Sequence, residues 1–99
     1  MRGIKFTRNR LEEIQKELEN RLKESGLSYD KECRLRGMIE QCMAFKRECF
    51  SNDEVFVTDI RTRRENMEIR SLIRDSPHST DARYLRGCLD FNREYLGVK

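Results

Sequence analysis

The sequence predicts an all-α protein: a small bundle of about four helices, with a short extended segment near residues 55–60. Three observations predict it. Leu and Ile recur at steps of three and four through much of the 99-residue chain. Hydroxyl and Asp side chains stand just ahead of those periodic runs, where a helix needs an N-cap. A Leu-Arg-Gly stretch also occurs twice, as LRGMIEQCMAF at 35–45 and LRGCLDFNREY at 85–95.

The first helix is expected over about 8–24, capped by Thr7 and stopped near Gly26. Leu11, Ile14, Leu18 and Leu22 make one narrow apolar stripe, with Glu12, Glu13, Lys16, Glu17 and Arg21 on the other faces. Such a stripe suits a coiled-coil seam or a surface helix laid on a small core. Fewer than three heptads are present, which favours the latter. A second helix follows GLSYD, capped by Ser28 or Asp30, and runs to about Cys49 with Leu35, Met38, Ile39, Cys42, Phe45 and Cys49 on one face.

The next segment carries two conflicting signals. SNDE at 51–54 has the Ser-x-x-Glu form of a capping box, which would start a helix at once. EVFVTDI is β-branched and alternating, the mark of a strand. One straight helix over 52–75 would put Phe56, Ile60 and Met67 nearly opposite Ile69, Leu72 and Ile73. A third helix is therefore expected from about Arg64 to Asp75, with 53–62 as a bent extension or an extended piece. Pro77 in DSPHSTD ends that helix, Ser79 or Thr80 caps the last one over about 81–95, and Gly97 terminates it. Leu85, Cys88, Leu89, Asn92, Tyr95 and Leu96 are its expected core side.

Glycine inside a helix costs about 0.5–1 kcal/mol relative to alanine, so Gly37 and Gly87 need a reason. Close approach supplies one: without a Cβ, another backbone can come nearer, and the two LRG helices read as packed on each other or on a shared partner. Leu11, Ile14, Leu18, Leu22, Gly37 and Gly87 are thus the candidate partner or helix-packing interface. The Arg/Tyr-Leu-Arg-Gly-apolar-acidic helix, in a chain of this size, resembles small helical bacteriophage proteins. That resemblance spans about sixteen residues and implies an origin, with no activity attached.

Composition narrows the function. Hydrophobic residues are 36% and charged residues 39% of the chain, against about 45–50% and 25% in ordinary globular domains. The core is therefore thin, which disfavours an enzyme with a deep pocket and suits a subunit that completes its surface against a neighbour. One domain, 8–99, is expected after a basic arm, 1–7. No apolar run reaches the ~20 residues of a membrane span, so a soluble protein is expected in the cytoplasm of the producing or host cell, or associated with a virion. Cys33, Cys42, Cys49 and Cys88 lack framework or CxxC spacing, and read as reduced, buried fillers. His78 stands alone in a loop, and no spacing suggests a metal, a cofactor or a catalytic set.

Arginine is what remains. Arg2, Lys5 and Arg8 of the arm, with Arg61, Arg63 and Arg64 of RTRR, are the candidate anion or nucleic-acid contacts. Asp59, Glu65, Glu68 and Asp75 interleave with RTRR and its followers, so the sequence does not show a clean basic stripe. The expected function is a non-enzymatic helical interaction protein, binding a protein partner or itself as a virion or assembly subunit or an inhibitor of a host protein. The alternative is a small nucleic-acid-binding accessory protein.

Overall fold

Each of the four helices begins on a hydroxyl. Thr7 Oγ1 accepts the Arg10 backbone N–H at 3.0 Å and Thr58 Oγ1 that of Arg61 at 3.1 Å. Ser28 Oγ accepts from Lys31 at 3.2 Å and Ser79 Oγ from Ala82 at 3.0 Å. These caps satisfy amides that the first turn leaves without partners, and they fix the boundaries of the computed structural model, which describes residues 2–50 and 52–99. The element order is β1 (Gly3–Thr7), α1 (Arg8–Leu22), α2 (Tyr29–Glu48), β2 (Glu54–Thr58), α3 (Asp59–Asp75) and α4 (Thr80–Leu96).

The chain is thus mostly helical, with four helices and one small antiparallel sheet. β2 lies within the span where an extended piece competed with a helix, and α3 starts directly behind it, five residues before the expected Arg64. Ser51 of the capping-box reading lies outside the described residues. The larger correction is at the N-terminus: residues 3–7 are a strand rather than a free basic arm, with Met1 outside the described residues. β1 pairs with β2 so that Gly3 faces Thr58 and Thr7 faces Glu54. Phe6 and Val57 turn inward and are buried. Only one inward aromatic marks β1 in the sequence, too little alternation to separate a strand from an arm.

β1–α1–α2 and β2–α3–α4 repeat one plan. Thr7 to Thr58 and Ser28 to Ser79 are each 51 positions, and Gly37 to Gly87 is 50. The strand register is the one a two-fold axis between β1 and β2 would produce. α2 and α4 cross at the same axis. A Cβ at Gly37 would overlap the Tyr84 carbonyl oxygen and lie 3.1 Å from the Gly87 Cα; one at Gly87 would overlap the Arg34 carbonyl oxygen and lie 2.9 Å from the Gly37 Cα. Tyr84 and Arg34 each stand three residues before a glycine, so the contact is reciprocal.

The core lies between α1, α2, α4 and the sheet. Phe6, Phe45 and Phe91 form a triangle with ring centroids 5.9–6.3 Å apart, and Tyr95 lies 4.8 Å from Phe91. Leu11, Ile14, Leu18, Met38, Cys42 and Val57 close around them. In α4 the buried centre is Phe91, outside the expected stripe, while Leu85, Cys88 and Leu89 are half-buried. The glycine contact rotates α4 so that the 87–91 side faces in. The stripe of Leu11, Ile14 and Leu18 is fully buried inside this chain, and Leu22 half-buried. α1 is therefore a helix laid on its own core, with no apolar seam left for a coiled-coil partner.

Candidate functional site

α3 stands apart from the other helices in what it hides. Its buried side chains are Thr62, Asn66 and Ile69, and it contributes nothing to the main apolar cluster. A polar seam joins it to its neighbours. The Gln41 amide of α2 donates to Glu65 Oε1 at 2.5 Å and to Asn92 Oδ1 at 3.0 Å, and Asn92 Nδ2 of α4 donates to Asn66 Oδ1 at 2.8 Å. Thr62 Oγ1 donates back to the Thr58 carbonyl at 2.9 Å. Asn66 Nδ2 is buried with no protein partner among the described residues.

The opposite side of α3 carries apolar residues. Ile60 is 59% and Met67 71% exposed, two turns apart at about 3.6 residues per turn. Taking Thr62, Asn66 and Ile69 as the inward direction, Ile60, Arg64, Met67 and Ser71 point outward. Arg63, Arg70 and Arg74 line one flank of that outward strip, while Glu68 and Asp75 fall on the other. From Arg63 onward, charges that alternate along the sequence are thus sorted on the helix, while Asp59 stands on the arginine flank and Arg61 on the acidic one. None of Arg63, Arg64, Arg70 and Arg74 has an ion-pair partner among the described residues.

The six residues expected to meet anions divide in two. Lys5 lies 3.7 Å from Glu54. Arg8 Nε donates to Asp53 Oδ1 at 3.1 Å, and its guanidinium also reaches the Cys49 carbonyl. Arg61 forks onto Glu48 at 2.8 and 2.6 Å with its guanidinium 5.4 Å over the Phe45 ring; that hydrogen bonding raises its pKa further. Lys5 thus joins β1 to β2, Arg8 ties the start of α1 to the α2–β2 connection, and Arg61 ties α3 to α2. Arg2, Arg63 and Arg64 are exposed, and the Arg2 carbonyl accepts the Asp59 N–H at 3.0 Å at the start of α3. Sequence reasoning placed Arg63 and Arg64 among the contacts but left out Ile60 and Met67, which were visible there only as residues on the wrong side of a straight helix.

The cysteines are free, with Cys33, Cys42 and Cys49 buried. The Cys42 thiol donates to the Leu11 carbonyl at 3.2 Å, and burial pushes its pKa to about 11, which suppresses the nucleophilic thiolate. Cys88 is likewise pushed to about 11 by burial. Among the described residues no three His, Cys, Asp or Glu side chains gather as metal ligands, and no helix is long and apolar enough to cross a membrane. Compared with family models, curated proteins and solved structures, the chain matches none.

Proposed function

We propose that this protein is a non-enzymatic binding module that engages another protein through the outer face of α3. The observation that carries this reading is the strip itself: Ile60 and Met67 open to solvent and framed by arginines without partners. Met and Arg are enriched in protein interfaces, where an apolar centre is rimmed by charge. An acidic partner surface with an apolar recess complements this strip. A second copy fits less well: two α3 strips packed antiparallel would oppose arginine to arginine, and the outer face of α1 offers Glu12 and Glu13 with no apolar residue among Asn9, Lys16 and Asn20.

The arginines alone would also suit a phosphate backbone. The apolar residues favour the protein reading, because Ile and Met at the centre of the strip give a nucleic acid no stacking platform and suit a dry protein contact.

The test is affinity capture from an extract of the producing cell, with and without nuclease treatment, comparing the wild type with the double variant Ile60→Asp/Met67→Asp. A protein retained by the wild type and lost by the variant is the expected result. A retained set that the variant leaves unchanged, or one that nuclease removes, contradicts the proposal. In the latter case, anisotropy of a labelled duplex across a salt series would measure the nucleic-acid reading directly.

A further inference from the structure

We infer that the cleft where α2, α3 and α4 meet, which shares only Arg70 with the flank of the Ile60–Met67 strip, is a binding site for a diphosphate-class oxyanion. Arg34, Arg70, Arg86, Arg93 and Lys99 line it with Asp90 and Leu89, around a volume of about 360 Å³, within the lower range of small-ligand sites. Five cations meet one carboxylate in the lining, a formal charge of +4, and Asp30 stands 3.7 Å from Arg34 Nη1 beside it, which leaves an excess of about three positive charges. Cations gathered at this density repel one another unless an anion joins them.

Three of the guanidiniums are held in place by the protein. Asp90, largely buried, accepts Arg34 Nε at 2.7 Å, Arg34 Nη2 at 2.9 Å and Arg93 Nη2 at 3.0 Å. Arg86 Nη2 donates to the Pro77 carbonyl at 2.8 Å. Arg70 and Lys99 have no ion-pair partner among the described residues. Asp90 thus serves as a scaffold that orients two arginines, and each guanidinium it or Pro77 engages keeps further N–H groups for a ligand. Planar forks of this kind match tetrahedral phosphate oxygens. A carboxylate would bring one negative charge to this excess; a diphosphate brings about three in the same space.

The test is isothermal titration of the reduced full-length chain with inorganic pyrophosphate at fixed ionic strength. Saturable binding of one pyrophosphate per chain is expected, weakened about ten-fold by Arg70→Gln, in line with loss of one charge-assisted hydrogen bond. Arg70 has no ion-pair partner among the described residues, so this variant should fold normally, as circular dichroism would verify. Arg86→Gln should weaken binding similarly. Arg74→Gln, one turn further along the outer flank of α3 and outside the cleft, should leave affinity within about two-fold. No saturable binding up to millimolar pyrophosphate, or equal weakening by Arg74→Gln and Arg70→Gln, overturns the site, the second because it would show diffuse attraction only. Tighter binding of a nucleoside diphosphate than of pyrophosphate assigns the ligand to nucleotides; equal affinity assigns it to the free diphosphate group. Ile60→Ser/Met67→Ser, which adds no charge beside Arg70, should bind pyrophosphate as the wild type does, so loss of the protein contact and loss of the cleft are told apart.

Discussion

The two βαα halves share a backbone plan and invert its chemistry. Counted 51 positions apart, Leu11 corresponds to Thr62, Ile14 to Glu65, Gln15 to Asn66 and Leu18 to Ile69. On the outer face Asn9 corresponds to Ile60, Lys16 to Met67, Glu12 to Arg63 and Glu19 to Arg70. α1 hides aliphatic side chains and shows mixed polar ones. α3 hides an amide network and shows apolar residues and arginine. The lesson is that a thin core is built mainly by one half, which frees the other half's helix to present a surface that the chain does not itself cover.

The comparison would break first at the axis that relates the halves. Gly37→Val should destabilise the protein by about 3 kcal/mol or more in urea unfolding, because the added atoms meet backbone, which cannot move aside as a side chain can. Reciprocity predicts a similar loss for Gly87→Val; a mild effect at either position would mean that the two helices are not locked there.

Next in size come the equivalent buried positions. Leu18→Ala should cost about 3 kcal/mol, since Leu18 is fully buried in the aliphatic core, and Ile69→Ala about 2 kcal/mol, since its surroundings are smaller and partly polar. Equal losses would contradict the division of labour. An alkaline titration sharpens the same point. The Cys42 pKa rises from an ordinary 9.0 to about 11 by burial in the first half's core, so the folded state holds its proton longer than the unfolded chain. Stability should therefore be intact below pH 9 and fall between pH 9 and 11, by about 2 kcal/mol from this thiol. In Cys42→Ala the urea midpoint should decline less steeply over that interval; an unchanged slope would show that the thiol does not titrate with folding.

The smallest stability effect belongs to the surface assigned to binding. Ile60→Asp and Met67→Asp should each change unfolding free energy by no more than about 0.5 kcal/mol, as expected of exposed positions without partners in the chain. A loss near 2 kcal/mol would place these side chains in the protein's own packing.

Much of the fold was legible because helix signals are local. Thr7, Ser28 and Ser79 read as caps and act as caps, and Gly97, in the left-handed region at φ 68°, ends α4. The failures came where tertiary contacts outweigh local pattern. β1 exists because β2 pairs with it across more than fifty residues, and Phe91 is central because the Gly37–Gly87 contact sets the rotation of α4. The candidate site was half legible. Arg63 and Arg64 stand out in RTRR, but their separation from Glu68 and Asp75 depends on where α3 begins, and the exposure of Ile60 and Met67 depends on a seam of Gln41, Asn66 and Asn92 drawn from three helices.

Amide hydrogen exchange of the isolated protein, resolved residue by residue, tests the division between the halves most directly. A helix held by an aliphatic core should open only with global unfolding, whereas one held by a polar seam and little apolar burial should open locally. The account predicts that amides of α1 from Leu11 to Leu22 exchange at least about 100-fold more slowly than those of α3 from Arg63 to Arg74, a difference of about 2.7 kcal/mol. Equal protection of the two helices would contradict it.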